Sequence, residues 1–264
     1  MPFQGRSTAM GSRARLKPVK SNVVAVIQAR TGSRRLPGKV LMDISGKPML
    51  SRVVERTRRA RLLKDMVVAT TTEVTDDLIV GLCQANGWSF FRGSEVDVLD
   101  RYYRAAQAHQ ADVVVRITSD CPLVDPGLVD AVIEVFLDPR ENFDYVTNTL
   151  EGRSFPRGLD VEVIGFSALQ RAWEDDKNPA WREHVTQYIR RHPELFRLGA
   201  MKNPEDYSMM RWTVDTLDDL ELVRRIYAHF GNDLFSWRDV VLVLEKHPEW
   251  QAINRNIRQE PDPA

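Results

Sequence analysis

Several short apolar runs rich in β-branched residues recur along the chain, each separated from the next by a segment with a helical pattern. Residues 23–27 read Val-Val-Ala-Val-Ile, and similar runs occupy residues 66–70 and 112–117. A continuous apolar run of this length is typical of a strand buried on both faces of a sheet. Strands that alternate with helices imply βαβ crossovers and a parallel sheet. The pattern therefore predicts an α/β fold, a doubly wound and mainly parallel sheet with helices on both faces.

The same reasoning places the other elements. The predicted strands are residues 23–27, 66–70, 88–91, 112–117, 143–147 and 210–215, with an alternating segment at 155–164. The predicted helices open near residue 46 and then cover about 76–85, 96–109, 181–190, 216–230 and 235–247. Ligands of such sheets bind beyond the carboxyl ends of the strands, so the residues that follow each strand are the candidates for function.

Length and charge limit the classes of protein that the chain can represent. Its 264 residues allow one large domain, which we place at residues 21–250 between a flexible basic extension (1–20) and a polar tail (251–264). Thirty-seven basic residues balance thirty-seven acidic ones, so nucleic acid and membranes are not expected partners. No apolar run approaches the ~20 residues of a membrane helix.

The compartment is predicted from two further features. The first twenty residues carry basic side chains but lack the apolar segment of a secretory signal. Cys83 and Cys121 have no C-x-x-C spacing, which indicates neither a disulfide framework nor a zinc site. We therefore expect a cytoplasmic protein.

A basic, glycine-containing loop follows the first apolar run, between Gln28 and Lys39. Gly32 and Gly38 would let the main chain approach a ligand closely, and Arg30 and Lys39 could reach phosphate oxygens from either end. This combination predicts a site for a strongly anionic group, of which a triphosphate is the natural candidate.

An ordinary solvated surface loop is the alternative for this segment, since basic residues and single glycines are common in turns. The segment is not a Walker loop, because Val40 stands where Ser or Thr would be required, and it is not G-x-G-x-x-G. A P-loop ATPase and an NAD enzyme are therefore not indicated.

Asp120 follows the run at 112–117 and is the first candidate metal ligand. Mg²⁺ commonly takes one or two carboxylates together with phosphate oxygens, and a carboxylate just past a buried strand is well placed for that role. Asp is also common as a helix cap or turn residue before a proline such as Pro122, which is the structural alternative.

The segment at 155–164 offers candidates for sugar binding. Its alternation places Asp160 and Glu162 on one face of a strand, where they could meet sugar hydroxyls, while Arg157 could pair with a carboxylate. The alternative is an acidic face exposed to water. His184 could touch the sugar or a second subunit, although scattered histidines are more often structural.

These motifs resemble a known family. Gln28-Ala29-Arg30, then Ser33, then Arg35-Leu36-Pro37-Gly38-Lys39 is similar to the signature of the CMP-sugar synthetases, the cytidylyltransferases that activate Kdo and sialic acids. Within that superfamily the chain resembles the spore coat polysaccharide biosynthesis protein F group, over residues 23–227. Related enzymes that make molybdopterin cytosine dinucleotide or NDP-hexoses carry Gly-Gly in place of Ala29-Arg30, which favours a sugar-acid substrate.

The resemblance implies a Rossmann-like fold of the glycosyltransferase-A type and a reaction in which CTP and a sugar give a CMP-sugar and pyrophosphate. It implies that Arg30 and Lys39 hold the phosphates, and that Asp120 and a second acid, Asp215, hold Mg²⁺. An N-cap role is the alternative for Asp215 or for Thr216 beside it.

The resemblance also assigns the base and the acceptor. Arg92, the amides near Gly93 and the backbone of Ala29 are expected to hold cytosine, with Gln28 and Ser33 also in the nucleotide site. Residues 150–205 are expected to shape the sugar site and to contribute to assembly. Related enzymes are often homodimers, although the sequence does not determine the oligomeric state.

Two other classes of protein remain open from the sequence alone. A glycosyltransferase of the same architecture would use a nucleotide-sugar, but such enzymes usually present D-x-D at the metal, and Thr118-Ser119-Asp120 has one acid. A non-catalytic nucleotide-binding partner in a polysaccharide pathway is the second. Retention of both Asp120 and Asp215 argues against it.

Overall fold

The computed structural model describes residues 21–150 and 152–257. Within these ranges the strands are β1 (Val23–Gln28), β2 (Asp43–Ile44), β3 (Lys47–Pro48), β4 (Asp65–Thr71), β5 (Ser89–Gly93), β6 (Val113–Thr118), β7 (Tyr145–Thr147), β8 (Glu162–Gly165) and β9 (Leu198–Ala200). The helices are α1 (Met49–Thr57), α2 (Asp77–Asn86), α3 (Val98–Ala108), α4 (Pro126–Phe136), α5 (Phe166–Asp175), α6 (Pro179–Arg182), α7 (Gln187–Arg191), α8 (Leu217–Phe230), α9 (Trp237–Lys246) and α10 (Pro248–Gln251). The predicted basic extension and the last seven residues of the predicted tail lie outside the described residues.

The central sheet has the strand order β5-β4-β1-β6-β8-β7-β9. Strands β5, β4, β1 and β6 are parallel neighbours, and β7 pairs in parallel with β9. Strand β8 runs antiparallel to β6 and β7 on either side of it. The predicted mainly parallel sheet is confirmed, with one reversed strand.

Strand β1 lies in the middle of this sheet because its residues are apolar on both faces. Val23, Ala25 and Ile27 pack into one hydrophobic cluster with α1, α4, α8 and α9. Val24 and Val26 pack into a second cluster with α3 and α5. Helices therefore cover both faces, and the predicted doubly wound architecture is confirmed.

The helix predicted at residues 181–190 is wrong. The structure has two short helices there, α6 and α7, separated by residues 183–186. Val185 has a φ of 56°, in the left-handed region that a β-branched residue rarely adopts, and its side chain is fully buried. Burial of Val185 in the core thus overrides the helical periodicity.

The strand predicted at residues 210–215 is also wrong. Arg211 forms only an isolated bridge with Arg157, and the Val214 N–H donates to the Asp120 carbonyl at 2.8 Å. The segment is thus held by loop residues, including Asp120 just beyond the carboxyl end of β6. The alternating segment at 155–164 becomes a strand only at Glu162–Gly165, so Asp160 lies before it.

Candidate active site

A cleft with a cavity volume of about 390 Å³ opens where β1 and β6 end. Its lining in the described chain includes six cationic side chains, which are Arg30, Arg34, Arg35, Lys39, Arg101 and Arg116. Three acids, Asp120, Glu183 and Asp215, also line it. The excess of positive charge suits an anionic ligand, as the basic loop predicted.

The loop after β1 folds back on itself before it reaches Lys39. The Gly38 N–H donates to the Thr31 carbonyl at 2.9 Å, and Gly38 adopts a left-handed φ of 71° that favours glycine. Buried Leu36 packs into the core beside this turn. The turn directs the next residue, Lys39, inward.

Asp76 fastens the loop to the neighbouring strand β4. Its carboxylate accepts hydrogen bonds from the Thr31 N–H at 2.8 Å and the Thr31 hydroxyl at 2.7 Å. It also accepts from the hydroxyls of Thr70 and Thr71. Burial opposes the charge on Asp76, but these hydrogen bonds outweigh it and lower the pKa of its carboxyl. The sequence analysis missed this residue, whose neighbour Asp77 begins α2.

Lys39 joins the two predicted metal-binding acids. Its Nζ lies 2.9 Å from Asp120 Oδ2 and 2.8 Å from Asp215 Oδ1, and it also donates to the Val214 carbonyl at 2.8 Å. The residue is 7% exposed. Burial alone would lower the pKa of Lys39, but the two carboxylates outweigh it and raise that pKa. Lys39 therefore stays charged at neutral pH and draws the two acids together.

Asp120 is held in the ionised form. Its second oxygen accepts a hydrogen bond from the Thr118 hydroxyl at 2.6 Å. Burial would favour the protonated acid, but the Lys39 ammonium and the Thr118 bond lower the pKa of Asp120 to about 2. Beside it, burial raises the pKa of the Cys121 thiol well above its usual range, so Cys121 is not activated as a nucleophile.

Asp215 accepts from three cations. Besides Lys39, it pairs with Arg35 at 2.9 Å and with Arg211 at 2.8 Å.

Helix α8 is capped by Thr216, whose side chain accepts from the Asp219 N–H in a capping box. The alternative of Asp215 as the cap is therefore wrong, and its carboxylate faces the cleft instead.

The two carboxylates that contact Lys39 are of the kind that would suit a magnesium ion. The described residues hold no cluster of three or more His, Cys, Asp or Glu side chains that could bind a metal. Mg²⁺ needs fewer protein ligands than that, since it usually takes one or two carboxylates with water and substrate phosphates. Asp120 and Asp215 supply two carboxylates on one buried cation, which matches that requirement.

The predicted nucleotide residues divide into two groups. Gln28, Ala29, Arg30 and Ser33 all line the cleft. Arg30 lies near two acids at its mouth, 3.5 Å from Glu95 and 3.8 Å from Glu183.

Arg92 and Gly93, predicted to hold cytosine, are not among the residues that line the cleft. The Arg92 guanidinium donates to the Thr71 and Glu73 carbonyls and pairs with Asp77 at 2.7 Å. Gly93 packs against the aliphatic part of Arg101, where an added Cβ would meet Arg101 Cγ at 3.0 Å. The structure therefore does not bring these two residues together with Lys39.

The predicted sugar residues are also dispersed. His184 lines the cleft, whereas Arg157 lines a second cavity of about 450 Å³ near Met209. Asp160 pairs with Arg153 through both carboxylate oxygens.

Glu162 is 8% exposed, so the water-exposed acidic face considered for this segment is wrong for Glu162, while the Asp160 side chain is 31% exposed. Glu162 forms an ion pair with Arg116 and accepts from the Tyr145 hydroxyl at 2.8 Å. Arg116 in turn donates to the Gln28 side chain at 3.1 Å in the cleft. Glu162 thus contacts the site through Arg116, a residue that the sequence analysis did not single out although it is the one charge inside the apolar run of β6.

A mainly parallel sheet with a cationic loop after β1, facing two carboxylates across a cleft, points to a nucleotidyltransferase. Comparison with known proteins gives the family: residues 24–236 match the cytidylyltransferase family. The chain belongs to this family, and it is an enzyme that uses CTP.

The relatives agree with that placement. The chain is 40% identical over 240 residues to the uncharacterized protein MJ1063 of Methanocaldococcus jannaschii, covering 90% of this chain and 96% of that one. It is 34% identical over 242 residues to the spore coat polysaccharide biosynthesis protein SpsF of Bacillus subtilis, with coverages of 87% and 96%. The predicted resemblance to this group of the CMP-sugar synthetase superfamily is confirmed.

A solved structure shares the fold. A cytidylyltransferase from Leptospira borgpetersenii superposes with a TM-score of 0.84 at 34% identity, covering 91% of this chain and all of that chain.

In the part of this chain that the structure describes, no helix has the length and apolar character needed to cross a membrane.

Proposed function

We propose that the protein transfers CMP from CTP to a hydroxyl group of a sugar acid, with release of pyrophosphate and with Mg²⁺ as the metal. The observation that carries this proposal is the contact of one buried ammonium, Lys39, with two carboxylates, Asp120 and Asp215, on the floor of a cationic cleft. The likeness to SpsF supports a role in making a surface polysaccharide.

The protein's part in this reaction is positioning and charge. The sugar hydroxyl attacks the α-phosphorus, and negative charge accumulates on the departing pyrophosphate. Arg30 and Lys39 hold the β- and γ-phosphates and stabilise that charge, with Arg35 beside them. A single well-placed donor of this kind is worth about 10²–10³ in turnover.

Asp120 and Asp215 would hold Mg²⁺, which supplies further positive charge to the triphosphate when bound. Asp120 is the stronger ligand of the two, because Asp215 is already neutralised by Arg35 and Arg211 as well as by Lys39. In the absence of metal, Lys39 supplies the positive charge between the two acids.

In this proposal the cytosine base is recognised by residues at the end of β1. The Ala29 N–H is engaged with the Ala69 carbonyl at 3.1 Å, so the Ala29 carbonyl is the backbone group that can accept from the amino group of cytosine. For Arg92 and Gly93 to take part, as the resemblance implies, the end of β5 would have to move toward the cleft.

The acceptor site lies on the side of the cleft that His184 lines. The excess of cationic over acidic side chains in the cleft as a whole favours an acceptor that is itself anionic, and a sugar acid meets that condition. Because CTP is a cytosolic nucleotide and both cysteines are free, we place the reaction in the cytoplasm.

The test is a screen of sugars and sugar acids against each of the four nucleoside triphosphates, with pyrophosphate release as the readout. We expect release with CTP and an acidic sugar. Release with a neutral sugar alone would overturn the sugar-acid assignment, and CTP binding without turnover on any acceptor would support a non-catalytic partner instead.

A further inference from the structure

Arg101, on helix α3, is a buried arginine that the mechanism above does not use. It is 1% exposed and lines the cleft. Its guanidinium donates one hydrogen bond to the described protein, from Nη1 to the Ser94 carbonyl at 2.7 Å. The Arg101 Nε is buried and has no hydrogen-bond partner among the described residues. Its Nη2 also donates no hydrogen bond to them, but this atom is partly accessible to solvent.

Arg56, another fully buried arginine of the described chain, shows what a structural arginine looks like here. All three of its nitrogens donate, to the carbonyls of Val124 at 2.7 Å, Asp233 at 2.8 Å and Phe235 at 3.0 Å. Arg56 also stacks on the Phe235 ring. Arg101 is about as deeply buried as Arg56, but its guanidinium donates one hydrogen bond where that of Arg56 donates three.

Arg101 also differs from Arg116 in its ion pairs. Arg101 forms no ion pair with a carboxylate of the described chain, whereas buried Arg116 pairs with Glu162. Burial lowers the pKa of Arg101 and the nearby charge of Arg30 lowers it further, while Tyr102, Asp76 and Glu95 oppose that shift without reversing it. A buried charge with one hydrogen bond and no carboxylate in direct contact destabilises a folded protein, so its presence calls for an explanation outside the protein's own contacts.

A second guanidinium on the same side of the cleft has a free donor. Arg116 lines the cleft, and its Nε is enclosed without a partner although its other two nitrogens donate to Glu162 and Gln28. Residues of α3 pack in the cluster on one face of the sheet, while the segment of Lys39 packs on the other face with α1. The two sets of cations therefore approach the cleft from opposite sides.

We propose that Arg101 binds an anionic oxygen of a substrate, at a second anion site opposite the cluster of Lys39, Asp120 and Asp215. This inference rests on the proposed function for the identity of the substrates. Two sources can supply the anion, namely a phosphate of CTP or the carboxylate of an acidic acceptor. Either would give the Arg101 guanidinium the partner that the protein itself does not provide.

The experiment uses Arg101→Met, which replaces the aliphatic part of the side chain and removes the guanidinium, and Arg101→Lys, which keeps the charge. Affinities for CTP and for inorganic triphosphate are measured by calorimetry, and KM is measured for the acidic sugar found in the screen. A loss confined to CTP and triphosphate identifies a phosphate as the ligand. A loss confined to the acceptor KM identifies its carboxylate. We expect one of these to weaken at least tenfold in Arg101→Met and to recover in part in Arg101→Lys.

Thermal unfolding separates this role from a structural one. Arg101→Met should unfold at the same temperature as the unmodified protein or higher, since it removes an uncompensated charge, while Arg56→Met should unfold at a clearly lower temperature. Affinities and KM within twofold of the unmodified values in Arg101→Met would overturn the inference. A fall in unfolding temperature as large as that of Arg56→Met, with ligand binding unchanged, would also overturn it.

Lys39→Ala distinguishes failure of this inference from failure of the proposed function. Weaker CTP binding in Lys39→Ala but not in either Arg101 variant, with an unchanged acceptor KM, refutes the second anion site alone. Absence of CTP binding by the unmodified protein refutes the proposed function itself.

Discussion

The ammonium of Lys39 lies 2.9 Å from the carboxylate of Asp120, although the two residues are 81 positions apart in the chain. One ends the basic loop after β1 and the other follows β6, and these strands are adjacent in the sheet. Each residue changes the ionisation of the other, since the pKa of Asp120 falls and that of Lys39 rises. The pair places a fixed positive and a fixed negative charge where a metal–triphosphate would bind.

Replacement of Lys39 by Ala should lower kcat at least tenfold, because the variant loses a donor to the developing charge on pyrophosphate. Asp215 keeps Arg35 and Arg211, so the fold should survive. The matched control is Lys47→Ala, whose lysine is 44% exposed and pairs with Glu55. Steady-state kinetics check the prediction, and turnover of Lys39→Ala close to that of the unmodified enzyme would remove Lys39 from the mechanism.

Asp120→Asn should shift the Mg²⁺ dependence of the reaction to at least tenfold higher concentration, because a neutral amide is a poor ligand for a hard cation. Asp218→Asn, in the exposed first turn of α8, is the control and should titrate as the unmodified enzyme does. If the Mg²⁺ concentration that gives half-maximal activity were unchanged in Asp120→Asn, the role of Asp120 would be purely structural.

Asp76→Asn should destabilise the protein in a pH-dependent way. The pKa of Asp76 is lowered in the fold, so its contribution is full above the unfolded value of about 3.9 and is lost as pH falls through the lower folded value. We expect a loss of about 1.5–3 kcal/mol at neutral pH that shrinks below about pH 4.

Urea unfolding from pH 3 to 7 measures this difference. Since Asp76 also holds Thr31 in the phosphate loop, the same variant should bind CTP more weakly. A stability difference that grows on acidification would contradict the assignment.

Glu162→Gln should lower the free energy of unfolding by about 3 kcal/mol, because it leaves the buried charge of Arg116 without a carboxylate partner. Glu221→Gln removes an exposed partner of Arg225 and should cost about 0.5 kcal/mol or less. Equal losses for the two variants in urea unfolding would show that the Arg116–Glu162 pair is not a buried ion pair in solution.

The strands of the first half of the sheet could be predicted because local pattern and tertiary burial agree there. Residues 23–27 are apolar at every position, and the structure buries every one of them on one face or the other. The break at Val185 could not be predicted, because a left-handed β-branched residue is stabilised by long-range packing that no local pattern records. Strand β9 has only three residues, one of them Gly199, and gives no alternation to detect.

Which side chains meet could be predicted from sequence where the end of a strand determines their position, but not where a side chain reaches across to another element. Asp120 and Lys39 follow adjacent parallel strands, so their meeting follows from the topology. The Thr31 partner of Asp76 lies in the loop after β1, and the partners of Glu162 lie on β6 and β7. The register that brings Glu162 opposite Arg116 is an antiparallel pairing absent from the predicted topology. Arg157 was assigned to the sugar from local alternation, but it lies at the second cavity.

The most direct test follows the phosphates of CTP through one turnover. The enzyme is incubated with the acidic sugar from the screen and with CTP labelled at the α-phosphate, and in parallel with CTP labelled at the γ-phosphate. The proposed function predicts that the α-label appears on the sugar and the γ-label in pyrophosphate, and that both transfers slow together in Lys39→Ala. Appearance of the γ-label on the sugar, or transfer that does not depend on Lys39, would contradict it.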